Sequence, residues 1–296
     1  MNKRSIITCI VTVGVAIFTA MPAAADSFTF STGNVTDNVA IATRPSAGAK
    51  FEIEGADDFV LGSQTLLNSA TFTGLLTGGA KTSDISQVVV EIYRVFPLDS
   101  NVGRTSGPPT FSTPQVPTRV NSPSDVALDS RDSASAGLTF GTAVLSGTFT
   151  SLNSVVPGGI HPKPGQNTGG NGPATGTEVE IDVTFATAFD LQPGHYFFVP
   201  QVGVGTPDGE FLWLSGTRPI VPPGTPFPPG ATDLQSWTRD EMLDPDWLRV
   251  GTDITGQGPF NAAFSLSGVT TPEPSSLLLL GAGLALVGFA LRKVIA

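Results

Sequence analysis

Val179, Ile181, Val183 and Phe185 alternate with Glu178, Glu180, Asp182 and Thr184. A period of two marks a strand with one face on a core and the other toward water. A turn over residues 190–194, with Pro193-Gly194 in it, leads to His195, Tyr196, Phe197, Phe198 and Val199, which read as the next strand. The two together predict a hairpin. Residues 87–96 predict another strand, with Val88, Val90 and Ile92 on one face. Residues 70–76, 138–150, 211–215 and 262–267 complete the set. Helical spacing is confined to one expected turn at residues 238–243. Short strands broken by Gly, Pro, Ser and Asn predict an all-β chain folded as a single β-sandwich. Residues 98–132, 156–176 and 218–231 are poor strand material, the last with six prolines. They predict long Pro/Gly-rich loops.

Two apolar runs break this pattern. At the start, Lys3-Arg4 precedes the run 6–20, Pro22 ends it, and Ala23-Ala24-Ala25 stands before Asp26. That is the build of a signal peptide cleaved between Ala25 and Asp26. At the end, residues 277–291 are uncharged and apolar, and Arg292-Lys293 follows. With Ser275 and Ser276 the run just reaches the lower length limit for a transmembrane helix. Its two basic residues would snorkel to the interface. Pro272, Glu273 and Pro274 stand before it. The prolines keep that segment extended, and Glu273 offers a charged handle at the membrane surface. Basic flanks stay on the cytoplasmic side, so the middle of the chain would cross. The expected organisation is a signal peptide at 1–25, a β-sandwich body at 26–271 and a membrane-directed tail at 272–296.

The order Pro272-Glu273-Pro274, apolar helix, Arg292-Lys293 resembles the PEP-CTERM sorting signal of exported bacterial proteins. The resemblance implies recognition by an exosortase, a membrane protease-transpeptidase. It further implies a transient inner-membrane anchor, then a cell-surface or extracellular location, in bacteria that make exopolysaccharide. Residues 56–61, 191–197 and 263–268 resemble segments of the secreted β-sandwiches that often precede such tails, which implies a jelly-roll-like fold.

Composition narrows the chemistry. Cys9 is the only cysteine and lies in the leader. The body is therefore expected to hold no disulfide, thiol nucleophile or cysteine metal site. Residues 26–271 carry 24 acidic and 11 basic side chains. This balance argues against nucleic acid as a partner. His161 and His195 are the only histidines. They lack zinc spacing, and no Gly-x-Ser-x-Gly elbow is present. Carboxylates cluster at Asp57-Asp58, at Asp125/Asp129/Asp132, at Asp208/Glu210 and at Asp240/Glu241/Asp244/Asp246. Loop carboxylates suit calcium. Asp57, Asp58, Asp240, Asp244 and Asp246 are the candidate ligands, against a reading as turns and caps and an expectation of no cofactor. Trp237 and Trp247 flank the acidic stretch and could present rings to a glycan. Packing in the core is the simpler reading, as it is for Trp213. The resemblance thus implies a non-enzymatic surface or biofilm-matrix protein associated with exopolysaccharide, and the composition is compatible with it. A lectin-like glycan-binding module is the alternative, and a secreted hydrolase is the third reading.

Overall fold

A computed structural model describes residues 25–101, 121–160, 167–217 and 235–271, and the single residue Gly283. Ala25–Thr271 forms one compact unit. Among the described residues fourteen strands, numbered in chain order, build two sheets. The larger sheet contains β1 (Ser27–Ser31), β2 (Val35–Ala42), β4 (Thr65–Thr77), β7 (Leu138–Ser151), β8 (Asn153–Val155), β9 (Ala174–Leu191), β11 (Glu210–Gly216) and β14 (Phe264–Thr270). The smaller contains β3 (Ile53–Leu61), β5 (Ile85–Arg94), β6 (Asp129–Asp132), β10 (Gly194–Val204), β12 (Trp237–Asp240) and β13 (Leu248–Arg249) in the order β13-β12-β3-β10-β5-β6. All pairings are antiparallel except β2 with β8.

The long strand β4 centres the larger sheet. β9 lies along one edge of it and β7 lies outside β9. Along the other edge β14 and β11 follow one another, pairing with Thr65–Phe72 and Gly74–Thr77 respectively. The inward side chains of the two sheets meet in one core. Phe198 of the smaller sheet stacks on Phe264 at 5.0 Å and meets Phe72 edge-on at 6.0 Å. Both belong to the larger sheet, and Trp213 closes the group at 6.0 Å from Phe198.

Alternation at residues 178–185 is reproduced: Val179, Ile181, Val183 and Phe185 are buried and their neighbours are not. The hairpin expected between that strand and the next does not form. β9 pairs with β4 and β7, whereas β10 pairs with β3 and β5. The turn at 192–193 carries the chain from one sheet to the other. The physical reason lies in β10, whose residues 196–204 are all buried. A strand apolar on both faces belongs in the middle of a sheet covered on both sides, away from the half-wet β9. The helical turn expected at 238–243 is also corrected: residues 237–240 are strand β12, and only the residues after Asp240 turn.

The body begins and ends side by side. β1 and β14 are paired throughout, Ser27 opposite Val269. The Thr270 N–H donates to the Asp26 carbonyl at 2.8 Å, and the Thr271 N–H donates to the Gln64 carbonyl at 2.8 Å. Strand pairing thus holds the chain up to the residue before Pro272. Among the described residues no helix is long and apolar enough to cross a membrane. The expected C-terminal transmembrane helix, and most of the signal peptide, lie outside the described residues.

Candidate functional site

The smaller sheet has a polar centre on its outer face. Its strands place Glu54 and Ala56 (β3), Glu91 and Tyr93 (β5), Phe197, Val199 and Gln201 (β10) and Trp237 and Arg239 (β12) on that face. Register puts Arg239 opposite Glu54, Trp237 opposite Ala56, and Phe197 opposite Tyr93. Two segments fold over it, residues 122–127 and 240–247. Their cover creates a second, smaller apolar cluster of Ala56, Tyr93, Phe197, Val199, Trp237 and Trp247.

Arg239 organises the polar part. Its guanidinium lies 4.3 Å from the Trp247 ring centroid and 5.4 Å from that of Tyr93. Nε bonds one Glu54 oxygen, and Nη2 donates to the other at 3.1 Å. Nη2 also donates to Tyr93 Oη at 3.0 Å. Nη1 donates to the Asp125 carbonyl at 3.0 Å and to Asp244 Oδ1 at 3.2 Å. Such a planar fork suits bidentate carboxylate binding and stacking together. Burial opposes charge on Arg239, but the Glu54 carboxylate outweighs it and holds the guanidinium firmly protonated.

Carboxylates outnumber the cation. Tyr93 Oη lies 2.6 Å from Glu54 Oε1 and 3.2 Å from Glu91 Oε2. A phenol has one proton to give. With that proton on Glu54, the Glu91 contact is complete only when Glu91 carries its own proton. Burial, with the Glu54 and Glu52 charges adding to it, pushes Glu91 up to about 8. Glu52 is raised by burial and by Glu54, against the amide of Gln201. Gln201 Nε2 donates to Glu52 Oε1 at 3.1 Å and to Glu91 Oε2 at 3.4 Å. Burial and the Glu54 charge raise Tyr93 well above its ordinary value. Glu52, Glu54, Glu91, Tyr93 and Arg239 line an open cavity of about 320 Å³, together with Val126, Ala127, Asp240 and Glu241.

The residues singled out from sequence lie in different places. Trp237 and Trp247 are 0% and 1% exposed. Trp247 Nε1 donates to the Ser124 carbonyl at 3.1 Å, and its ring meets Tyr93 edge-on at 5.5 Å. Neither ring offers a face to a sugar, which corrects their reading as glycan contacts. They point inward because the outer face of β10 needs an apolar cover.

Asp57 and Asp58 are fully buried. Asp57 accepts from Ser236 Oγ at 2.7 Å and from the Ala262 N–H. Asp58 Oδ2 lies 2.9 Å from His195 Nε2. Asp240 accepts from the Met242 and Leu243 N–H groups at 3.1 and 3.0 Å and so caps its turn. Asp244 rims the cavity, and Asp246 is buried. Among the described residues no three His, Cys, Asp or Glu side chains gather as a metal ion requires. Elsewhere, Asp129 pairs with Arg131 and Glu210 with Arg44. Ala25 and Asp26 are exposed at the start of the body. Ala23, His161, Pro272, Glu273, Pro274, Arg292 and Lys293 lie outside the described residues.

Sequence reading did not assemble Glu52, Glu91, Tyr93, Gln201 and Arg239 into one centre. Only the alternation around Val88, Val90 and Ile92 hinted at it, by leaving Glu91 and Tyr93 on the opposite face.

Residues 270–294 match the family model of the PEP-CTERM protein-sorting motif. No curated protein and no solved structure matches the chain. The motif marks an exported protein that is processed by an exosortase at the membrane on its way to the surface.

Proposed function

We propose that this chain is a non-enzymatic surface or extracellular-matrix protein. Its β-rich body is the cargo, its tail is the address, and exopolysaccharide is its setting. The observation that carries this reading is the sorting motif at 270–294, which starts on the last residue of β14. Strand pairing ends at Thr271, so the polar motif follows the body with no intervening linker. In this reading the signal peptide directs export and is removed before Asp26. The segment Pro272-Glu273-Pro274 is read by the protease, the apolar helix holds the chain during that step, and Arg292-Lys293 stops it.

Intact-mass measurement of the protein recovered from the host surface tests this. The expected form lacks residues 1–25 and has lost or modified the C-terminal helix. A surface form with both ends unchanged would overturn the reading. Replacing Pro272, Glu273 and Pro274 by alanine should leave the protein in the membrane fraction.

A glycan-binding role is the second reading, and the observation favouring it is the cavity beside Arg239. Its carboxylates, the Tyr93 hydroxyl and the Arg239 guanidinium offer the mixed donors and acceptors that hydroxyls pair with. Co-sedimentation with the host's exopolysaccharide, compared between the natural protein and Glu52→Gln/Glu241→Gln, tests it. Equal retention of both would dismiss the cavity as a sugar site.

A further inference from the structure

We propose that the edge strand β7 is a self-association surface, where a second copy of this chain adds its own β7 antiparallel to form a two-fold dimer with a continuous sheet. β7 is 14 residues long, and among the described residues its backbone partner from Leu138 to Val144 is β9 alone. Every second residue along that stretch therefore presents an N–H and a C=O to an open edge. Natural sheets blunt such edges with lysine, proline or very short strands. β7 has none of these: its sequence, LTFGTAVLSGTFTS, contains no charged residue and no proline. Its register slips only after Val144, so the regular part of the edge is Leu138–Val144.

The side chains suit a copy of themselves. Register with β9 puts Leu138, Phe140, Thr142 and Val144 on the core side of the sheet, opposite the buried Phe185, Val183, Ile181 and Val179. Yet Val144 is 56% exposed. Leu145, at the register slip that follows, is 51% exposed. A two-fold axis at Thr142 sets Phe140 opposite the partner copy's Val144, and Val144 opposite its Phe140. Aromatic and β-branched residues facing across strands are a favourable pair. On the other side, Ala143 comes opposite Gly141.

Charge selects this face for a contact between copies. The body is strongly acidic, and like-charged copies repel wherever their charged faces meet. β7 brings two uncharged strands together. The acidic stripe Glu178, Glu180 and Asp182 lies one strand back on each side, where solvent and salt screen it. An isologous contact of this kind closes at two copies.

The test uses the full chain in mild detergent, with Cys9→Ser as background. Light scattering across a concentration series should show a dimer that strengthens with added salt. Val144→Lys should abolish the dimer and leave the far-ultraviolet spectrum and melting curve unchanged, because that side chain is exposed. Under mild oxidation Thr142→Cys should form a covalent dimer, since directly opposed strand residues lie within disulfide reach. Thr139→Cys should not, its copies lying roughly 20 Å apart along the strands. A monomer at every concentration overturns the proposal. So does a dimer that survives Val144→Lys, equal cross-linking at 139 and 142, or open-ended growth beyond two copies.

Discussion

β10 and β7 are both long and rich in apolar residues, and neither holds a Lys, Arg, Asp or Glu, yet they meet opposite fates. β10 is buried on both faces from Tyr196 to Val204. Its inner face packs on the larger sheet, and its outer face shares one apolar cluster with Tyr93, Trp237 and Trp247. β7 is exposed along most of its length, including two of its bulkiest aliphatic side chains. The difference does not come from strand propensity, which both satisfy. It comes from what the rest of the chain supplies as cover. Residues 122–127 and 240–247 are given to the smaller sheet, and no described segment does the same for β7.

The cover over β10 is where the largest effect is expected. Trp247→Ala should cost about 3–5 kcal/mol, since it removes a buried ring from against Tyr93 and Arg239 and breaks the bond to Ser124. Urea unfolding measures it. A loss below about 1 kcal/mol would mean that the 240–247 segment is not packed on the sheet.

Arg239→Met should cost roughly 3 kcal/mol, because it leaves the Glu54 carboxylate buried without its cation. Adding Glu54→Gln should recover part of that loss. No recovery in the double variant would show that the guanidinium acts through its stacking instead.

The proton on Glu91 gives a third and smaller effect. Its folded value, about 8, lies above the ordinary 4.5, so the folded form holds the proton more tightly than the unfolded chain. The stability this brings is complete below about pH 4.5. It declines as the pH rises from there to about 8, and it is absent above that. Glu52 and Asp240 are shifted in the same direction. The melting temperature should therefore fall from pH 5 to pH 8, by a loss on the order of a few kcal/mol at most. Glu91→Gln should flatten that slope and raise the melting temperature at pH 8. A slope unchanged by the substitution would place the titration elsewhere.

On the uncovered side the expectation is nearly nothing. Val144→Lys should alter monomer stability by less than about 0.5 kcal/mol, while removing self-association. A clear destabilisation would mean that β7 is covered after all.

Much of the strand content was legible because alternation is a local signal. Val179 to Phe185 announced its own two faces. The partner of each strand was not legible. Residues 190–194 read as a hairpin turn, and only the two-sided burial of residues 196–204 explains why the chain crosses to the other sheet there. The Arg239 centre was hidden for a related reason. Glu54, Glu91, Tyr93, Gln201 and Arg239 come from four strands, and no spacing along the chain links them. Asp57-Asp58 read as a calcium candidate and is instead buried within β3, held by Ser236, Ala262 and His195. The acidic loop looked like a platform because its tryptophans flank it. Burial turned the rings the other way.

The pairing of β14 has a mechanical side. It lies between β1 and β4, antiparallel to both, and it is the strand that leads into the tail. A load applied at Thr271 along the strand runs at right angles to its ladder bonds. Those bonds then share the force in shear and do not open one at a time like a zip. A body pulled by this end would therefore release its last strand only when several ladder bonds failed together, at a higher force than if they were peeled singly.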